Sequence, residues 1–249
     1  MKEEAGFLDR PDGERLAWRR IAGRGPTFVW LGGFRSDMAG TKAQALADWA
    51  AASGRAYVRF DYFGHGESTG AFEHGTITRW REDALAVLDA LAEGPLVLVG
   101  SSMGGWIACL AAAVRAERIA GLILIAPAAD FTSALMAPEM TAADRKALED
   151  NGVWLRPSDY GDPYPISREL LEDGARWTIL PGPVPVTAPV RVLQGGADPD
   201  VPWPHALALA QALATEDLVF SLIKDGDHRL SRPQDLARLI AMADELSRP

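Results

Sequence analysis

The sequence predicts an α/β fold, a mostly parallel, doubly wound sheet with helices on both faces, and three observations predict it. Short runs rich in Val, Ile and Leu recur along the chain, each bounded by Gly, Pro or Asp. These runs are almost continuously apolar, as in strands covered on both faces, where a half-exposed strand would alternate. Between them lie segments with apolar residues at three- and four-residue spacing, so strand and helix alternate along most of the chain.

Taken in order, residues 16–21 are polar enough for an edge strand, and residues 27–31 form the first buried one. A helix over 41–52, a strand over 57–60, a helix over 78–91 and a strand over 96–99 follow. A helix over 103–114 and a strand over 122–125 complete the first half. Later come a strand at 190–193, a helix at 205–213 and a strand at 218–223. The last helix opens at Ser231-Arg232-Pro233-Gln234, which reads as a Ser-x-x-Gln capping box with proline in the first turn. Residues 96–114 carry no charge, but the polar Gly100–Gly105 cluster in their middle fits a strand turning into a buried helix, not a membrane span.

One interval breaks the alternation. About 60 residues separate the strand ending near Pro127 from the one at Val190, far beyond a loop of ~2–6 residues. Helical pieces at 141–150 and 167–174 fall in it, as do Phe131, Trp154, Tyr160, Tyr164 and Trp177. We read residues 128–185 as a cap inserted in a single domain spanning 1–249, too small for a core of its own. Of the cap aromatics, Trp154, Tyr160, Tyr164 and Trp177 are candidates for a substrate pocket, with plain core as the alternative.

Composition narrows the partners. The 249 residues are 48% hydrophobic and 24% charged, with a net charge of −9 and no run of bases, a poor match to a nucleic acid backbone. One cysteine, Cys109, excludes an internal disulfide and any multi-cysteine zinc site. No His and carboxylate set has metal-ligand spacing, the four lysines fall in no constellation, and no cofactor is expected. The turn Asp61–Ser68 is Gly-rich but lacks Gly-x-Gly-x-x-Gly, so it is not a dinucleotide site. The first residues lack both an apolar leader and an Arg-rich transit pattern, so a cytoplasmic protein is expected.

The chemistry centres on Gly100-Ser101-Ser102-Met103-Gly104. It fits Gly-x-Ser-x-Gly only with Ser102 central, because a frame on Ser101 puts Val99 and Met103 at the glycine positions. A strand before and a helix after make this a nucleophile elbow, a strained turn that lifts the serine hydroxyl out of the backbone. Serine needs a base, and His228 follows the final strand on the edge of the sheet where the elbow opens. His65, between two glycines, reads as shaping a turn, while His74 and His205 have no companion pattern. For the acid, Asp198 comes first off the penultimate strand, with Asp130 as the alternative location; Asp200, Asp225 and Asp227 are less well placed. The order Ser, Asp, His suits this fold. Oxyanion donors are expected from the amide of Met103, which opens a helix, and from Phe34 in the loop Gly32-Gly33-Phe34-Arg35.

These residues resemble the α/β-hydrolase superfamily over almost the whole chain. Within it they are similar to the branch of the palmitoyl-protein thioesterases and acyl-glucuronide esterases. The resemblance rests on Gly33-Phe34, Gly40-Thr41-Lys42-Ala43, Arg59-Phe60-Asp61-Tyr62, the elbow block Val99–Trp106, and Gly226-Asp227-His228-Arg229. It implies a serine hydrolase with Ser102, Asp198 and His228 as its triad, acting through an acyl-enzyme on esters or thioesters of small molecules or acylated proteins. The alternatives keep the triad for C–C cleavage or perhydrolysis, or make the chain a ligand receptor without turnover.

Overall fold

The computed structural model describes residues 2–157, 163–180 and 182–248. The chain begins with β1 (Glu3–Asp9) and β2 (Arg15–Ile21), an antiparallel pair, followed by β3 (Arg24–Leu31), α1 (Thr41–Ser53) and β4 (Arg55–Phe60). Next come α2 (Ile77–Leu91), β5 (Leu96–Ser101), α3 (Met103–Val114) and β6 (Ile119–Ile125). The long interval holds a π-helical turn at Thr132–Met136, the single-turn α4 (Ala137–Glu139) and α5 (Ala142–Asn151). An antiparallel pair, β7 (Val153–Arg156) and β8 (Tyr164–Ser167), and then α6 (Arg168–Arg176) complete it. The chain re-enters the sheet with β9 (Val190–Gly195), α7 (Trp203–Ala212), β10 (Leu218–Ile223) and α8 (Pro233–Leu246).

The main sheet has eight strands in the order β1-β2-β4-β3-β5-β6-β9-β10. All neighbours from β4 to β10 are parallel, and β2 meets β4 antiparallel. From β3 the chain moves outward to β4, then crosses back to β5 on the other side of β3. The loops leaving β3 and β5 therefore diverge and open a crevice at the carboxyl edge between them. Strand alternation divides the core. Val29, Leu31, Leu96, Leu98, Leu122 and Leu124 face α2, α3 and α7, while Phe28, Trp30, Val97, Val99, Ile123 and Ile125 face α1 and α8.

Two local expectations need correction. The edge strand at 16–21 is present, but a further strand, β1, lies outside it and seats Glu3 against the buried guanidinium of Arg59. The final helix is not capped by Ser231 and Gln234. Pro233 takes the first helical position, so Arg232 is the cap and the Asp235 carboxylate accepts its backbone N–H.

The buried side chains of the interval, among them Phe131, Met136, Met140, Trp154, Ile166 and Leu170, are continuous with the core on the α2–α3 side of the sheet. The interval is tied down at its end, where the buried Asp173 accepts both the N–H and the hydroxyl of Thr78 in the first turn of α2. No described helix is long and apolar enough to cross a membrane.

Candidate active site

Ser102 is the residue between β5 and α3, and its backbone sits at φ 54°, ψ −119°, a region that side chains rarely occupy. Three main-chain bonds hold it there: its N–H donates to Ile125 O, and its carbonyl accepts from Gly105 N and Ala128 N. The glycines flanking it explain why the bend is possible. A Cβ on Gly100 would lie 2.3 Å from Gly104 O, and one on Gly104 would lie 2.0 Å from Leu31 O. Strand and helix backbones touch at both places, leaving no room for a methyl group.

The structure brings the three predicted residues into one line. Ser102 Oγ lies 3.1 Å from His228 Nε2, and His228 Nδ1 lies 2.9 Å from Asp198 Oδ2. With Nδ1–H donated to Asp198, Nε2 is the acceptor for the serine hydroxyl. Asp198 has a fully buried side chain fixed from several sides: Oδ1 accepts Asp200 N and Val201 N at 2.9 Å each, and Oδ2 also accepts Gln194 Nε2. The carboxylate is an acceptor in every one of these bonds, so its orientation is determined before anything binds.

The other candidates are placed elsewhere. Asp130 accepts Ile179 N and Leu180 N and anchors the returning end of the interval, with burial pushing its carboxyl up. Asp225 pairs with Arg232, and Asp227 accepts Leu230 N. His205 Nε2 meets Ala129 O. Asp198, Asp200 and His228 also bring three potential ligand atoms within 4.8 Å of one another, a grouping that sequence spacing did not reveal. Two of the three are already joined by the His228–Asp198 hydrogen bond.

A cavity of about 330 Å³ opens over Ser102 and His228. Phe34, Met103, Phe131, Leu135, Met136 and Tyr164 supply its apolar lining. Of the four aromatics expected there, Tyr164 is present, Trp154 and Trp177 are not among the lining residues, and Tyr160 lies outside the described residues. Trp154 is buried in β7, and Trp177 Nε1 donates to Thr78 Oγ1 beneath the Arg81 guanidinium. Arg35, Lys42, Arg156 and Arg229 also line the cavity against Asp37 and Asp200, so its charged lining is mainly basic although the chain as a whole is acidic.

Phe34 and Met103, the two expected oxyanion donors, both border this cavity. The first-turn N–H groups of α3, beginning with Met103, have no partner within their own helix. On the opposite wall, Gly33 comes so close that an added Cβ would meet Ser102 Cβ at 3.4 Å.

Sequence reasoning missed two residues here. Lys42 donates from its ammonium to Arg229 O, beside His228, and burial pulls it down to about 8. His65 lies under the Phe34 loop, and burial pulls it down to about 4. Both belong to the segments that carry the family resemblance or flank them, the one signal that marks them in the sequence. Among the described residues, the five non-glycine residues with positive φ (Arg35, Ser102, Ala126, Asp130 and Leu230) lie beyond the carboxyl ends of strands β3, β5, β6 and β10. Backbone strain is concentrated at the rim of the crevice.

Comparison with known proteins follows the same line. The family model described as serine aminopeptidase, S33 (Hydrolase_4) matches residues 35–173. The bovine mitochondrial palmitoyl-protein thioesterase ABHD10 is 37% identical over 98% of this chain and 80% of its own length. A crystal structure of an Agrobacterium vitis S4 protein superposes with a TM-score of 0.96 at 43% identity, covering 100% of both chains. Mouse α/β-hydrolase domain-containing protein 10 superposes at 0.89 with 37% identity, over 98% of each chain. The bovine relative and its mammalian counterparts are named as mitochondrial, which overturns the cytoplasmic placement expected from the first residues. With a central parallel sheet, a strained serine at its carboxyl edge and full-length similarity, this chain belongs to the serine aminopeptidase S33 family of α/β hydrolases and is a hydrolase of the esterase and thioesterase type.

Proposed function

We propose that this chain cleaves acyl thioesters and esters, acylated cysteine in proteins included, through a Ser102-His228-Asp198 triad and an acyl-enzyme. The observation that carries the reading is the unbroken line from Ser102 Oγ through the imidazole to a buried carboxylate, with a cavity directly above it. Ser102 Oγ attacks the acyl carbon as His228 Nε2 takes its proton, and Asp198 steadies the resulting imidazolium. The negative charge gathers on the carbonyl oxygen, where the amides of Phe34 and Met103 would receive it. Collapse expels the thiol or alcohol with the proton from His228. Water, activated by the same imidazole, then attacks the acyl-enzyme and releases the acid.

Residues 128–185 act in this scheme as a cap over the acyl side, with Phe131, Leu135, Met136 and Tyr164 forming the wall against which the chain lies. The similarity to palmitoyl-protein thioesterases supports a long acyl chain as the substrate class.

The test uses a fluorophosphonate probe with a panel of nitrophenyl esters and S-acyl peptides of graded chain length. The wild-type chain is expected to be labelled and Ser102→Ala unlabelled, with turnover lower by about 10⁴–10⁶ in Ser102→Ala and His228→Ala alike. A Ser102→Ala chain that still labels or still hydrolyses these substrates overturns the reading.

A further inference from the structure

We propose that His65 is a positioning residue for the oxyanion donor at Phe34, holding the neighbouring Arg35 N–H on its Nε2 atom and thereby fixing the loop in its donating geometry. The inference rests on the triad and oxyanion reading given above.

The hydrogen bonds run without a break from the core to the loop that lines the cavity. On α2, the buried Asp83 accepts Phe63 N at 2.9 Å. Phe63 O then receives two donors, Trp80 Nε1 at 3.1 Å and His65 Nδ1–H at 3.0 Å. That bond settles the tautomer and leaves Nε2 as an acceptor, which the Arg35 N–H meets at 3.2 Å. Arg35 is at φ 55°, a strained value for its type, inside a turn closed by Gly33 O, which accepts both Ser36 N and Ser36 Oγ. The hydrogen bond to His65 and the stacking of the Arg35 guanidinium over Phe72 and Tyr164 add the restraints that come from outside the loop. The far end of the loop is held separately, with Met38 N on Asp61 Oδ1 and Met38 O on Arg59.

The imidazole is 3% exposed and sits against Tyr62, Phe72 and Trp80. Arg35 is the charged group that faces it, and together with burial it opposes protonation, which would destroy the acceptor. His65 is thus an uncharged buried acceptor one residue from a proposed oxyanion donor. It touches no reacting atom and acts through the peptide that joins Phe34 to Arg35.

The test compares His65→Gln, His65→Asn and His65→Phe. Glutamine reaches the Nε2 position with an acceptor; asparagine reaches only the Nδ1 position; phenylalanine fills the space with neither. The expected result is a kcat lower by about 10–100-fold in the Asn and Phe variants, part of what deleting an oxyanion donor costs, with KM nearly unchanged. The Gln variant should recover to within about threefold of wild type. Affinity for a trifluoromethyl ketone should fall in step with kcat, while affinity for the carboxylate product stays constant. Should the Phe variant fail to fold, the Asn and Gln pair decides. The inference is overturned by equal losses in Asn and Gln, by a loss carried in KM, or by a lowered Tm with kcat per folded molecule intact. Ser102→Ala is the control: its continued activity sinks the triad reading, whereas an inactive Ser102→Ala beside a fully active His65→Asn sinks this inference alone.

Discussion

Ser102 carries its strain in the backbone, and that strain is separable from its chemistry. Residues held in such a region cost on the order of 1–3 kcal/mol, and glycine escapes most of it. Ser102→Gly is therefore expected to be more stable than Ser102→Ala by about 1–2 kcal/mol in urea unfolding, with both expected to be inactive under the proposed mechanism. Asp198→Asn keeps the size of the side chain but presents an amide to His228 Nδ1 and favours the wrong tautomer, so kcat is expected to fall by about 10⁴. His65 gives a pH test of stability. Its imidazole titrates near 4 in the fold against 6.5 for the ordinary group, so between those values the unfolded chain binds a proton that the native chain does not. Stability then falls as the pH drops from about 6.5 to about 4, by up to about 3 kcal/mol relative to His65→Gln. Asp61 and Asp83, both pushed up to about 6 by burial, act in the opposite sense in both proteins and cancel from the difference. At this scale Ser102, Asp198 and His228 were legible because each sits just beyond an apolar run. His65 was read only as a turn residue, since a partner 30 positions away leaves no mark on local sequence.

Elements that carry a near-continuous apolar run were legible almost to the residue. The helix expected over 103–114 is α3, and the strand expected over 218–223 is β10. β1, by contrast, lies at the sheet edge with an exposed polar side, and its Glu3-Glu4-Ala5-Gly6 opening gives no apolar run to detect. The β7–β8 pair is equally hidden: four residues per strand are too few to show a period. The contact between β3 and α3 yields a sharp expectation. In Gly104→Ala the new methyl carbon would fall 2.0 Å from Leu31 O and 2.6 Å from Gly32 O, both backbone atoms that cannot rotate away. The variant should lose more than about 3 kcal/mol, read as a lowered urea midpoint, with hydrolysis falling as the elbow shifts.

Across the whole molecule, the interval between β6 and β9 shares one core with the sheet but is fastened by a few polar bonds. Asp173 on Thr78 and Trp177 on the same Thr78 hydroxyl are the chief ones. Asp173→Ala is expected to cost about 1–3 kcal/mol, because two partly buried donors on Thr78 lose a charged acceptor. Faster amide hydrogen exchange should appear around α6 and the start of α2, while the β3–β5–β6 centre stays protected. The sequence marked the long break in strand–helix alternation through its length and prolines, but not which of its aromatics face the cavity. That choice depends on how the segment folds back, so Tyr164 and Phe131 line the site while Trp154 and Trp177 serve packing.

Cys109, the single cysteine, lies in the middle of α3 with 1% of its surface exposed, and burial pushes its thiol up to about 12. Such a group is invisible to a disulfide reagent until the fold opens around it. The protein therefore contains its own clock for rare excursions: the pace at which Ellman's reagent gains colour counts global openings, without any label being introduced. Saturating the crevice with a tight inhibitor should slow that clock, and an unchanged pace would mean that Cys109 is reached through a local breach instead.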